Sequence, residues 1–296
     1  MELRQLRTFE AVVREGSVTD AANRLGLAPS SVSQAVRALE RTLDVELFVR
    51  EPRGMRTTPA GERLLVWARR LLDQAEQARR EVTDAGRERP VVRLGALESI
   101  AASVAPGILR RLAERRPELR VDVRSELDRS ALLEAVAVGE VDAGLVLDTG
   151  DTLGDLGFPL PAGGELDFLD LDPVPLRLVA APGHPRAGEV LGPADLRGER
   201  LLVNASSACS FALAARRLCG PEVERVSAGS VAVMRAWARQ GVGVALLPEF
   251  AVADDLAAGA LTALRLPTPT LRLRLTWASA RAAHPPTRAL LYAAGG

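Results

Sequence analysis

From Thr58 to Gly86 the chain reads as one unbroken helix, and that feature limits the folds open to it more than any other. Thr58 and Pro59 form a cap and first-turn pair and Gly86 closes the pattern, giving about 27 residues and a length of about 40 Å. Its apolar positions Leu64, Ala68, Leu71, Ala75, Ala78, Val82 and Ala85 alternate spacings of four and three, which is a heptad seam. Charged residues (Arg63, Arg69, Arg70, Asp73, Glu76, Arg79, Arg80) take the other faces. A compact domain rarely needs so long a seam, so Leu64, Ala68, Leu71, Ala75, Ala78 and Val82 are expected to meet a second copy. Packing of the helix on its own chain is the competing arrangement. Either way the helix separates two differently patterned regions, residues 1–57 and 89–296, with 58–88 as the linker.

The first region is helical and small. "LRQLRTFEAVVR", residues 3–14, places Leu3, Leu6, Phe9 and Val13 at helical spacing, and Gly16 ends that helix. Ser17 starts a second helix with Asp20 three positions on, the spacing at which each side chain caps the other's backbone amide. Ala21, Ala22 and Leu25 share a face, and the two alanines allow close helix crossing. Gly26 supplies a tight turn, and Pro29 suits the first turn of a third helix behind a poor cap, Ala28. In that third helix Val32, Val36 and Leu39 point inward, leaving Ser30, Ser31, Ser33, Gln34 and Arg37 outward. Gln pairs with adenine, Arg with guanine and Ser with phosphates or base edges, in a major groove wide enough for a helix. "ELFVREPRGMRTTP", residues 46–59, reads as two short strands around Gly54 carrying Arg50, Arg53 and Arg56 against Glu51, a wing able to lie along phosphates. Residues 1–57 hold nine arginines and eight acids, so any basic surface is local rather than general.

Beyond Val91 strands and helices alternate. "VVRLGAL" is a buried strand, residues 99–119 a helix, "LRVDVRSEL" a strand, residues 130–141 a helix and "DAGLVLD" a third strand. A second set runs through "PLRLVAA", "ERLLVNA", a helix over 207–219, "VERVSAG", a helix over 230–240 and "GVALLPEF". "LRLRLTWASA" and "PPTRALLYAA" supply a strand and helix that return to the first set. The expected architecture is two α/β lobes, lobe I at about 89–160 plus 268–296 and lobe II at about 161–267. Their crossings near residues 160 and 267 would make a hinged cleft with ligands at the strands' C-terminal ends.

The remaining residues narrow the function. Glu2, Arg4, Arg7 and Glu10 lie within the first ten positions, which excludes a secretion signal there, and no apolar run reaches membrane-spanning length. Two cysteines in 296 residues fit a reducing compartment, so a cytoplasmic protein without a membrane partner is expected. His184 and His284 each precede proline, no Cys/His cluster has zinc spacing, and neither a phosphate loop nor a G-x-S-x-G turn occurs. No enzymatic activity, cofactor or metal is therefore expected.

Taken whole, the chain resembles the LysR-type transcriptional regulators. The run "SSVSQAVRALERTLDVELFVREPRGMRTTPAGERLL" is similar to that family's recognition helix, wing and linker-helix start, and "GEVDAGLV", "GHP" (183–185) and "GVGVALLP" (241–248) also match. Departures are Asp44, where the family usually has glycine, and Ala28 and Pro29, where a polar cap and glutamine are common. The resemblance implies an N-terminal winged helix-turn-helix, a long dimerisation linker helix and a two-lobed α/β effector-binding domain resembling periplasmic binding proteins. It implies a homodimer or tetramer on double-stranded promoter DNA, with RNA polymerase as a further partner and a small-molecule effector in the cleft.

Groove contacts would come from Ser31, Ser33, Gln34 and Arg37, with Ser30 beside them, and phosphate contacts from the wing arginines. Family sites matching Ser99, with Ile100 beside it, commonly hold a carboxylate, and a helix start offers free amides for one. Asn204, Ser206 and Ser207 occupy the corresponding start in the second lobe, Ser230 caps a further helix and Arg129 lies beyond the second strand. Ordinary capping would account for the same serines. Glu98 would repel an anion unless it points away, which leaves an amine or neutral effector open. The rival within the family is thiol-based redox sensing, because Cys209 and Cys219 flank the helix expected at 207–219. Ten residues of intact helix would separate them by about 15 Å, beyond the roughly 7 Å that a disulfide spans, so that reading requires local unfolding.

Overall fold

The computed structural model describes residues 1–51, 54–85, 90–155, 157, 160–161, 164–204, 214–215 and 223–295. The chain divides into two compact units, one holding residues 1–87 and the other residues 88–161 and 165–296.

The first unit contains α1 (Leu3–Glu15), α2 (Val18–Leu25), α3 (Pro29–Leu43), an antiparallel hairpin of β1 (Phe48–Glu51) and β2 (Gly54–Thr57), and α4 (Pro59–Ala85). Gly16 and Gly26 end α1 and α2 in the left-handed region at φ 69° and 64°. Ser17 caps α2 by accepting from the Asp20 amide, while the Asp20 carboxylate accepts from the Ser17 hydroxyl and not, as the spacing suggested, from its amide. Val32, Val36 and Leu39 of α3 are buried with Leu6, Phe9, Ala21 and Ala22, as the periodicity requires. Leu3, by contrast, is exposed and Val12 takes the core position expected of Val13. The hairpin is tied down where the Met55 amide donates to the Gly16 carbonyl at 2.8 Å. Gly54 stands at φ +143°, and a Cβ there would lie 2.5 Å from that same carbonyl oxygen. Phe48 reaches back to Phe9, ring centroids 5.3 Å apart.

Thr58 caps α4, its hydroxyl accepting from the Gly61 amide and donating to the Glu46 carbonyl. The helix extends as expected, but its seam is divided. Ala68 and Leu72 are buried in the first unit's own core, with Leu64, Leu65 and Leu71 packed against it. Trp67 and Val82 are 59% and 76% exposed on the outer side, with Ala78 also exposed. Ala68 is therefore unavailable to a partner. The α1–α3 cluster needed a lid, and the first turns of α4 supply it.

In the second unit one half holds β3 (Val91–Leu97), α5 (Glu98–Ser103), α6 (Ala105–Arg115), β4 (Arg120–Glu126), α7 (Arg129–Ala137) and β5 (Ala143–Asp148). The helix expected over 99–119 is two helices, because Pro106 lacks the amide a continuous helix would use. β6 (Leu166–Ala180) is a long strand shared by both halves. The other half adds β7 (Arg200–Val203), β8 (Glu224–Ser227), α8 (Val231–Arg239), β9 (Val244–Pro248), α9 (Glu249–Ala257) and β10 (Thr262–Leu264). β11 (Thr270–Ala278) and α10 (Pro285–Ala294) close the chain.

The strands run β4-β3-β5-β11-β6-β9-β7-β8, with β10 on β6. β3 lies parallel to β4 and β5, and β7 parallel to β8 and β9, while β6 and β11 run antiparallel to each other. Residues 166–175 of β6 pair with β11, and residues 176–179 pair with β9. The first crossing thus falls at Pro175–Leu176 rather than near 160, so residues 166–175 belong to lobe I. The return falls near 268, where the Thr268 hydroxyl donates to the Leu176 carbonyl at 2.7 Å. The helix expected over 207–219 lies outside the described residues except for Ala214 and Ala215, which are helical and buried.

Candidate nucleic-acid interface and regulatory site

On α3 the residues Ser30, Gln34 and Arg37 are exposed and Ser33 is half-buried, all within one side of the helix at spacings of three and four. Ser31 is exposed toward the edge of that side. Pro29, Ser33 and Arg37 follow one another at four-residue spacing and form a ridge. Between α3 and the hairpin lies a groove of about 590 Å³, walled by Ser33, Arg37 and Glu40 on one side and by Phe48 and Met55 on the other. The Glu40 carboxylate accepts from the Leu47 amide at 2.9 Å, tying α3 to the segment that enters the hairpin. Arg56 on β2 is exposed beside it. Arg53 and the side chain of Arg50 lie outside the described residues. The helix thus presents hydroxyl, amide and guanidinium groups on an exposed side, held by a buried one.

In the second unit, three strand ends expected to face a ligand carry Leu97, Asp148 and Val203. Ser99 follows the first, nearly buried in the opening turn of α5, and Ile100 beside it is fully buried in the core, so only its backbone can face a ligand. α5 packs against α8 and α9 of the other half. Asn204, half-buried, follows the third strand. Ser230 caps α8, its hydroxyl oxygen accepting from the Val233 amide at 3.4 Å, so the capping role holds for it. Ser206, Ser207, Cys209 and Cys219 lie outside the described residues.

Arg129 is a correction. Expected at the effector, it is fully buried, donating from Nη2 to Asp148 Oδ2 at 2.5 Å and from Nη1 to the Leu147 carbonyl at 3.1 Å. Burial pulls its guanidinium below the ordinary value, and the Asp148 charge opposes that shift. Asp148 also lies 3.9 Å from Arg274, likewise fully buried. Arg274 donates to Asp170 at 2.6 Å and to the Thr152 carbonyl, and stacks 4.2 Å above the Phe168 ring. Sequence reading passed over Asp148 and Arg274; the available signal was a lone acid ending an apolar strand and an arginine inside one.

His184 anchors a loop, its Nδ1 accepting from the Arg186 amide at 3.3 Å with Nε2 3.4 Å from Glu199. Among the described residues there is no group of three His, Cys, Asp or Glu able to hold a metal ion, and no helix long and apolar enough to cross a membrane.

Two family models match the chain. Residues 3–62 match "Bacterial regulatory helix-turn-helix protein, lysR family", and residues 85–294 match "LysR substrate binding domain". An uncharacterised helix-turn-helix transcriptional regulator of Mycobacterium tuberculosis is 33% identical over 87% of this chain and 78% of its own. A protein of Mycobacterium avium named a probable hydrogen peroxide-inducible genes activator is 29% identical over 93% of this chain and 87% of its own. Among solved structures, full-length OxyR from Pseudomonas aeruginosa shares the fold with a TM-score of 0.60 at 24% identity, covering 99% of this chain and 93% of that one. The chain belongs to the LysR family of bacterial helix-turn-helix transcriptional regulators and is not an enzyme.

Proposed function

We propose that this protein reads promoter DNA as a dimer and that a small organic acid held between its lobes changes its grip on that DNA. Regulators of this family bind DNA through the helix-turn-helix, take small-molecule effectors and form oligomers. Base contacts come from Ser30, Ser31, Ser33, Gln34 and Arg37, and phosphate contacts from Arg50, Arg53 and Arg56. Dimer contact is assigned to the outer side of α4, through Trp67, Ala78 and Val82, with Leu71 and Ala75 at its margin. RNA polymerase is the expected protein partner at the promoter, and the cytoplasm the expected compartment.

The observation that carries the effector reading is the position of Ser99. It sits in a helix that springs from one lobe and packs on α8 and α9 of the other, so a molecule bound there bears on the angle between lobes. Asn204 and Ser230 remain candidate effector contacts, as do Ser206 and Ser207 outside the described residues, while Arg129 is withdrawn from the set. The test is thermal melting of the full chain against panels of small carboxylates, amines and neutral aromatics. A ligand at about a hundredfold above its Kd stabilises by about 2.7 kcal/mol, a rise of several degrees. The reading predicts that rise with carboxylates and its loss in Ser99→Ala. A rise confined to amines would replace the acid by a base, for which Glu98 is the partner.

A second reading, thiol sensing through Cys209 and Cys219, is supported by the likeness to the Mycobacterium avium protein. Free-thiol counting after mild peroxide separates the two: loss of both thiols with altered DNA affinity favours the switch.

A further inference from the structure

The first two positions at the leading end of α3 carry no hydrogen-bonding side chain, and Ser30 and Ser31 follow them. Ala28 is the N-cap residue and makes no side-chain cap, Pro29 is the first helical residue, and both are exposed. Residues at the start of a recognition helix are the ones that meet base edges. In the major groove every base edge offers donors or acceptors, and thymine alone adds an apolar group, its 5-methyl. A pyrrolidine ring offers only C–H surface and has no amide hydrogen to give. Set against adenine, guanine or cytosine, it would strip water from polar edges and return nothing.

We propose that Pro29 sets base preference at the leading end of α3 by packing its ring against the 5-methyl group of a thymine in the operator. This rests on the DNA-reading role of α3 and adds a specificity determinant to it. Pro29 begins the ridge that continues through Ser33 and Arg37 along the groove wall, so the methyl contact and the polar contacts read one strip of DNA in register. Its ring fixes the local backbone, so no conformational freedom is lost when the contact forms. A glutamine at this position would instead select adenine through its amide, so the residue held here changes the base read without removing the reading position.

The experiment selects an operator from random duplex DNA with the full-length protein, then replaces each thymine singly by deoxyuridine, which removes only the methyl group. One thymine per half-site is expected to lose about fourfold in affinity on that replacement, the worth of one buried methyl. Pro29→Ser, a residue also suited to the helix start, should bind both probes equally with an unchanged circular dichroism spectrum. Selection with Pro29→Gln should move that position toward adenine. The proposal is overturned if no thymine is methyl-sensitive, if the sensitivity survives Pro29→Ser, or if it is lost only in Ala28→Gly. Failure to enrich any sequence would overturn the DNA-reading role itself, a distinct result.

Discussion

Arg129 and Arg274 converge on one carboxylate, Asp148, at 2.5 and 3.9 Å, and none of the three side chains has any solvent exposure. Two cations on one buried acid are tolerated because Asp170 takes Arg274 from the other side and backbone carbonyls of the loop after β5 accept its remaining protons. Breaking such a cluster by removing one member costs about 3–5 kcal/mol, since the partner charges stay buried. Asp148→Ala should therefore lower the denaturant midpoint sharply, with DNA affinity per folded molecule unchanged, and paired urea titrations check this.

Asp44 ends α3 at φ +53°, and it is the described non-glycine residue with positive φ. Its Cβ strains a left-handed position that glycine occupies freely, at a cost of about 1 kcal/mol. Asp44→Gly should raise stability by up to about that amount, and any fall in the unfolding midpoint would contradict the assignment of strain.

Trp67 is 59% exposed on a helix whose opposite side is buried, with Arg70 stacked on its ring at 5.4 Å. Its exposure next to Ala78 and Val82 along the helix supports a second copy as the cover. Trp67→Glu should shift the full chain toward monomer in sedimentation, and weaken binding to a two-half-site duplex by at least about tenfold through lost avidity. An unchanged dimer would remove Trp67 from the interface.

Asp142 is buried against Arg281, 3.3 Å away, and accepts from the Arg93 amide at 2.7 Å. Burial lifts its pKa above the ordinary 3.8, and those partners only partly oppose the shift. In the window above 3.8 the folded chain binds this proton more than the unfolded chain does. The carboxyl's contribution is thus full below pH 3.8 and is lost as pH rises through the folded pKa. Wild type measured against Asp142→Asn should lose relative stability as pH climbs through that window, and paired unfolding curves at stepped pH would show the trend or its reverse.

The DNA-reading unit was legible because its signals are local: Gly16, Gly26 and Pro29 punctuate short helices, and Val32, Val36 and Leu39 keep helical period. The divided seam of α4 was not, because whether Ala68 faces its own chain or another depends on tertiary packing. β6 was read only from Pro175 onward, since Pro173 and Pro175 masked the strand that precedes them. α9 escaped because it follows Pro248 with no capping side chain and has buried Ala251, Val252 and Asp255 in place of a clean apolar stripe. Arg129 was misassigned for a related reason: a helix-start arginine looks the same whether its partner is a ligand or an acid brought near by a distant strand.

The most direct test of the account is fluorescence anisotropy of the full-length protein on its selected operator, compared with Gln34→Ala and Arg37→Ala. The account predicts that each substitution weakens operator binding by roughly five- to 150-fold, about 1–3 kcal/mol per base contact, while binding to unrelated duplex stays as it was. Equal loss on every sequence would reduce α3 to a phosphate contact, and no loss at all would contradict its assignment as the reading helix.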